Sequence, residues 1–368
     1  MIPDTFGFMG LGLIGGSIAK AVKAARPGSS IIAFDANPDS LALAKKEKIA
    51  DHIFTEPDEE AFSALGNCEF IFLCAPVLAN DKNTKLIISH LSEGAVLTDV
   101  GSVKNTIHDA IDAIGLSHRF IGGHPMAGSE KSGYENADEK ILENAYYILT
   151  PGQGVVQEKI DALKDLVLEM RAIPLVLEAA KHDYITAAIS HLPHIIAASL
   201  VNLIHDGDEN GLMKMIAAGG FKDITRIASS SPVMWQSICL TNTDNIIRLL
   251  DDYIRSLQTV RGRLERRDAG MLYDFFDNAK AYRDSFNNVG SGPIKKEYVL
   301  YVDLKDKVGA IAKTAAVLAG AKISIKNIGI MHNREVQDGA LRVEFYDEPS
   351  MNLAKTALTD GGYIIFNP

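Results

Sequence analysis

A glycine run set between a strand and a helix constrains this chain more than any other feature. Thr5–Met9 is a short β-forming run that passes directly into Gly10-Leu11-Gly12-Leu13-Ile14-Gly15, and a helical pattern follows. In such a turn the first glycine permits the sharp bend and the second lets the backbone approach a pyrophosphate. The third allows close helix–strand packing, and the helix N-terminus offers free N–H groups to the anion. The next apolar run, Ser30–Phe34, ends at Asp35, 20 residues past Gly15. A carboxylate there accepts hydrogen bonds from the adenosine ribose hydroxyls and repels a 2′-phosphate, and Ala36-Asn37-Pro38 supplies no arginine to neutralise one. The spacing predicts a dinucleotide site that takes NAD rather than NADP. Gly10, Gly12, Leu13, Ile14, Gly15 and Asp35 are its expected contacts, joined by Ala75, Pro76 and Ser102 after later strands.

Further candidate strands at Phe70–Cys74, Val96–Val100, Phe120–Gly123, Tyr146–Thr150 and Pro174–Leu177 alternate with helical patterns, which predicts βαβ units and a parallel sheet over residues 1–178. From 179 to 290 the period changes to 3.6 along Asp183–His205, Gly211–Ala217, Pro232–Leu240 and Asn242–Phe286, an all-α domain. Tyr184–Ile204 has no Asp, Glu, Lys or Arg and is long enough to span a membrane. His191, Pro193, His194 and Asn202 would be costly in lipid, so a buried helix at a subunit interface is expected instead. The turn formers from Asn287 to Pro293 read as a linker. Beyond it the order is βαββαβ over residues 295–368, a ferredoxin-like α+β module.

With 47 acidic and 37 basic side chains the net charge is −10, which argues against nucleic-acid binding; the densest basic run, Arg261–Arg267, is interrupted by Glu265. No basic leader precedes the first apolar run, and three cysteines without a C-x-x-C pair suggest a reducing cytoplasm with neither disulfides nor a structural metal. No metal ligand set and no membrane partner are expected.

Two clusters fall just past strand ends, Asp99-Val100-Gly101-Ser102-Val103-Lys104 and Gly122-Gly123-His124-Pro125-Met126-Ala127-Gly128-Ser129-Glu130. That rim is where open α/β sheets bind ligands. A histidine near its ordinary pKa draws a hydroxyl proton as a hydride leaves, and a serine hydroxyl fixes the substrate oxygen. His124 and Ser102 are therefore the candidate catalytic pair. A third cluster holds Asp183, His191-Leu192-Pro193-His194, Gly219–Arg226 and Trp235. The Arg226 guanidinium is a candidate clamp for a substrate carboxylate, with an Arg226–Asp223 pair on one helix face as the structural alternative.

At these residues the chain resembles the prephenate dehydrogenase family, which includes arogenate dehydrogenases. Gly10-x-Gly12-x-x-Gly15, Asp99–Lys104, Gly123–Glu130, His191–His194 and Gly220–Arg226 stand in the family's order. The resemblance implies a Rossmann dinucleotide-binding domain, a helical dimerisation domain that forms a homodimer, and oxidative decarboxylation of prephenate with NAD in tyrosine biosynthesis. It makes His124 the proton acceptor and Ser102 a partner of the ring hydroxyl. It places His194, Arg226, Glu130, Trp235 and His191 around the substrate. The last module resembles an ACT domain, which implies feedback by tyrosine through Asp306, Val308, Gly309, Ala310, Ile311 and Asn327. Arogenate as substrate, another hydroxyacid dehydrogenase, and a non-catalytic NAD and amino-acid sensor remain alternatives. A hydroxyacid dehydrogenase would need a catalytic lysine in a Gly-x-x-x-Lys context, which the helical region lacks.

Overall fold

The computed structural model describes residues 4–75, 84–128, 131–286, 298–305, 307–331 and 338–366. By contacts the chain divides into Met1–Leu272 and Tyr273–Pro368.

In the first unit a parallel five-stranded sheet has the order β3-β2-β1-β4-β5. Its strands are β1 (Thr5–Met9), β2 (Ser30–Phe34), β3 (His52–Phe54), β4 (Phe70–Leu73) and β5 (Val96–Asp99). Helices α1 (Leu13–Ala25), α2 (Pro38–Lys46), α3 (Glu59–Gly66) and α4 (Asn105–Ala113) accompany it. Four strands appear where the apolar runs place them. β3 escapes such reading because it has only three residues and opens on an exposed histidine. The core is dry and aromatic at its centre, where Phe8 of β1 stacks on Phe72 of β4 with ring centroids 4.8 Å apart and both side chains fully buried. Burying two such rings contributes about 2–3 kcal/mol each.

The expectation of a wholly parallel sheet is corrected beyond β5. A second sheet runs β6 (Ile121–Pro125), β7 (Tyr146–Pro151), β8 (Ile173–Val176), and β6 and β7 are antiparallel while β7 and β8 are parallel. The reason is the long connection after His124. It packs over α1, where Tyr134 is fully buried against Gly16 and donates to Glu47 at 2.9 Å, and the chain re-enters the sheet at the end where β6 stops, with Tyr147 beside Pro125, so β7 runs antiparallel. β6 itself keeps the parallel sense beside β5 through the Leu97–Phe120 bridge. Helix α5 (Gln157–Glu169) then joins β7 to β8.

Helices follow. α6 (Ala179–Thr186), a π turn (Ala187–His191) and α7 (Leu192–Gly207) form one long rod. Pro193 lacks an N–H and its ring crowds the preceding turn, and the local widening absorbs both. α8 (Leu212–Ile216), α9 (Gly219–Thr225), α10 (Pro232–Thr241), α11 (Thr243–Glu265) and α12 (Ala269–Ser285) complete the helical part. The continuous helix expected over Asn242–Phe286 breaks after Glu265, where Arg267 has φ 51° and Asp268 accepts from the Met271 N–H. The rod at Ala179–Gly207 is apolar enough, with mean hydropathy 1.5, to cross a membrane by length and composition, yet within the single chain only 17% of its apolar window is buried. Burial of this helix is thus not achieved inside one chain.

The second unit contains β9 (Tyr298–Lys305), α13 (Ala310–Gly320), β10 (Asn327–Met331), β11 (Asp338–Phe345), α14 (Glu348–Asp360) and β12 (Ile365–Phe366). Its antiparallel order β10-β11-β9-β12 is the ferredoxin-like arrangement expected from the βαββαβ pattern. Leu300, Val302, Leu318, Val343, Phe345 and Leu358 form its core.

Candidate active site

The glycine loop has the geometry its sequence demands. Gly10 has φ +104°, and a Cβ there would lie 2.8 Å from the Ala75 nitrogen, so any side chain would be both strained and crowded. Its N–H donates to the Phe34 carbonyl at 2.8 Å, which ties the ends of β1 and β2 together. Over Gly12, by contrast, a Cβ would meet nothing within 4 Å, and α1 starts there with no side-chain cap on its first amides. Leu13 and Ile14 open α1 half-buried, and Gly15 packs against the Gly10 carbonyl. Asp35 stands at the carboxyl end of β2 and accepts from the Leu11 N–H at 2.5 Å and the Asn37 N–H at 2.7 Å. Open space over uncapped amides, with a carboxylate beside it, fits a dinucleotide with free ribose hydroxyls. Ala75 lies against this loop; Pro76 is outside the described residues.

Behind the rim, His124 is the first link of a buried chain. Gly123 precedes it because a Cβ there would lie 2.5 Å from the Asp99 carbonyl, so only glycine lets β6 approach β5 this closely. The Lys104 ammonium, wholly buried, pairs with the Asp99 carboxylate and donates to the Gly123 carbonyl at 2.7 Å. Asp99 in turn accepts from the Gly123 N–H at 3.1 Å and the Gly101 N–H at 2.9 Å. The backbone next to His124 is therefore held by charge-assisted bonds on both its N–H and C=O sides.

The imidazole itself meets His182 of α6, Nδ1 to Nε2, at 2.8 Å, and His182 Nδ1 meets Asp183 Oδ1 at 2.8 Å. The direction of these bonds is fixed from the far end. Asp183 accepts from the Lys104 and Asn105 amides at 2.7 and 2.8 Å, the first turn of α4, so it is an anionic acceptor at a helix N-terminus. His182 must then donate from Nδ1, which leaves Nε2 to accept. His124 must donate from Nδ1, which leaves its own Nε2 as a lone pair directed away from the chain. Burial pushes the His124 imidazole well below the ordinary histidine range, and His182, Lys104 and His191 act in the same direction. Such a ring is neutral at pH 7 and is a base at one defined nitrogen.

Ser102 follows β5 on the same rim, half-buried, and its hydroxyl bonds to no described residue. In the helical part, His191 is buried; Asn242, between α10 and α11, donates to its Nδ1 at 3.2 Å and to the Asp183 carbonyl at 2.8 Å. Burial lowers His191 to about 4. Trp235 meets His191 edge-on at 6.0 Å and stacks on His194 at 3.7 Å, and its indole N–H is buried without a hydrogen-bond partner. His194 gives its Nδ1 hydrogen to the Ser190 carbonyl at 2.9 Å, a group the π turn leaves accessible. Burial lowers His194 from the ordinary value, and the Arg226 charge acts in the same direction; the short turn that Arg226 opens packs against α7, which carries His194. Arg226 opens the short 3-10 turn after α9 and is exposed. Glu130 lies outside the described residues.

The structure thus brings His124, His191, His194 and Trp235 into one cluster with Arg226 at its edge. It adds His182, Asp99, Lys104 and Asn242, to which the motifs assign no role. The His182-Asp183 dipeptide heading an apolar helix was the available signal for the first. Among the described residues no group of three His, Cys, Asp or Glu is placed to hold a metal ion. A separate cleft at the amino ends of the strands, lined by Arg26, Glu158, Asp161, Asp165 and Glu169, lies on the opposite edge of the sheet. In the second unit Gly309 has φ +83° and heads α13 beside fully exposed Val308; Ala310 and Ile311 begin the helix and Asn327 begins β10, while Asp306 is outside the described residues.

Comparison with known proteins gives the family. The family described as prephenate dehydrogenase, nucleotide-binding domain, matches residues 18–175, and prephenate dehydrogenase, dimerization domain, matches 178–278. A prephenate dehydrogenase of Bacillus subtilis is 40% identical over 362 residues, 96% of this chain and 95% of that protein. One from Lactococcus lactis is 34% identical, with 92% of each chain covered. Among solved structures, prephenate dehydrogenase from Aquifex aeolicus in complex with hydroxyphenyl propionate and NAD+ superimposes with a TM-score of 0.72 at 30% identity, covering 77% of this chain and 98% of that one. Arogenate dehydrogenase from Synechocystis gives 0.68 at 29%, covering 77% and 99%. This chain belongs to the prephenate dehydrogenase family.

Proposed function

We propose that the chain is an NAD-dependent prephenate dehydrogenase, converting prephenate to 4-hydroxyphenylpyruvate, CO2 and NADH. The observation that carries this reading is the oriented chain Asp183–His182–His124, which delivers one imidazole lone pair to the rim beside the dinucleotide loop. Gly10, Gly12, Leu13, Ile14, Gly15, Asp35 and Ala75 would hold the cofactor, which when bound accepts a hydride from the ring carbon bearing the hydroxyl. His124 Nε2 takes the hydroxyl proton, and Ser102 holds the same oxygen in line. The Arg226 fork and the orphaned Trp235 N–H, beside His194, bind a carboxylate. Loss of the ring carboxylate as CO2 makes the product aromatic, so orientation and one base suffice for the chain's part of the chemistry.

The domains assigned are 1–178, 179–290 and 295–368, with the exposed apolar rod of the helical part buried against a second copy in a cytoplasmic homodimer. The turn Asp306–Ile311 and Asn327 are assigned to an amino-acid ligand, tyrosine first. Equilibrium binding of tyrosine and phenylalanine to the full chain tests this, and no detectable heat with either removes the sensor role.

The activity is tested by the reduced-nicotinamide absorbance with prephenate or arogenate and NAD. The expected result is turnover with kcat/KM favouring prephenate. A preference for arogenate overturns the substrate assignment, and silence with both overturns the reaction.

A further inference from the structure

We infer that the proton removed from the substrate comes to rest on His182, paired with Asp183, and not on His124. This rests on the dehydrogenase reading above and specifies where that reaction keeps its proton. The geometry is explicit. His182 and Asp183 are both fully excluded from water, 2.8 Å apart, while His124 is half-buried and has no carboxylate of its own. The charged and titratable groups that act on His124 disfavour a positive charge there: His182 from α6, Lys104 from the segment before α4, and His191 from the π turn. Asp99, the partner of Lys104, is bonded to that ammonium and to the Gly101 and Gly123 amides.

The transfer balances in two moves. The substrate O–H bond breaks and an N–H bond forms at His124 Nε2; at the same time His124 Nδ1–H breaks and its proton joins His182 Nε2. His124 ends neutral in the opposite tautomer, and His182 ends as an imidazolium against the Asp183 carboxylate. The positive charge has moved into contact with an anion in a site closed to water, where attraction is strongest. After product leaves, His124 Nε2 gives its proton to water and recovers its Nδ1 proton from His182.

His182→Gln separates this role from simple positioning, because the glutamine oxygen still accepts the His124 Nδ1 hydrogen but cannot take it. The proposal expects kcat about 10–100-fold lower with KM for prephenate and NAD nearly unchanged. It also expects the acidic limb of the kcat–pH profile to move to lower pH, since the carboxylate-paired resting place for a proton is lost. Wild-type kcat with an unmoved limb would mean that His182 only holds His124, and would overturn the proposal. Should the variant misfold, the wild type decides: with 15N-labelled imidazoles, hydroxyphenyl propionate and NAD bound, the first ring of the pair to become doubly protonated on acidification is His182. Imidazolium character on His124 first contradicts the relay. Either outcome is distinct from failure of the reaction assignment, in which the wild type itself produces no reduced nicotinamide.

Discussion

Lys104→Met is the substitution whose cost the structure defines most fully. The methionine fills the same slot without a charge, and what it leaves behind can be enumerated. Asp99, only 3% exposed, loses its cation but keeps the Gly101 and Gly123 amides at 2.9 and 3.1 Å. The Gly123 carbonyl loses a donor at 2.7 Å. Breaking a buried ion pair by removing one partner costs about 3–5 kcal/mol, chiefly because the remaining charge is uncompensated. Two surviving amide donors keep that part near the lower end, and the unpaired carbonyl adds about 1 kcal/mol. We expect a loss of about 4 kcal/mol in urea unfolding, followed by fluorescence of the single tryptophan, Trp235, and by far-UV circular dichroism. Adding Asp99→Asn to the variant should recover part of the loss, because the stranded charge disappears. A cost below 1 kcal/mol, or a double variant no more stable than the single one, would refute the reasoning.

Other consequences follow from the same geometry. Asp35→Ala removes the acceptor at the end of β2 and should raise KM for NAD about 10-fold while narrowing the preference over NADP, as measured by kinetics with each cofactor. Arg226→Ala, at a guanidinium exposed in this chain, should raise KM for prephenate by an amount equivalent to about 1 kcal/mol, with kcat little changed; an unmoved KM removes the clamp. His191 has its folded-state value lowered by burial to about 4 from an ordinary 6.5, so the unfolded chain binds its proton first on acidification. Its contribution is present above pH 6.5 and is lost as pH falls toward 4, on the order of 3 kcal/mol. Denaturant midpoints measured across that window should fall more steeply for wild type than for His191→Gln.

The parts of the fold that could be read from residues are those with a strong local cause. Continuous apolar runs became β1, β2, β4 and β5, the βαββαβ rhythm became the second unit's sheet, and Gly10 took the positive φ its position in the loop requires; the linker expected at Asn287–Pro293 lies outside the described residues. The antiparallel turn of β7 was not legible because its cause is non-local: Tyr134 locks onto Gly16 and Glu47, about a hundred residues earlier. The same holds for the site. His124 stands out by its glycine neighbours, but the bond that orients it comes from His182, 58 residues away, and that ring is oriented by a carboxylate whose other role is to cap α4. Periodicity reports which face is buried; it does not report which buried polar groups find each other. No local pattern marks Lys104 for burial, yet it is wholly buried because β6 brings the Gly123 carbonyl to it.

The central claim is that the His124 lone pair is the base for the substrate hydroxyl. His124→Asn removes it while leaving the dinucleotide loop, the Asp99–Lys104 pair and the Arg226 region in place. Steady-state turnover of prephenate with NAD should fall about 10²–10⁴-fold in kcat, while the NAD dissociation constant stays at the wild-type value. A His124→Asn enzyme that turns over at the wild-type rate would contradict the account.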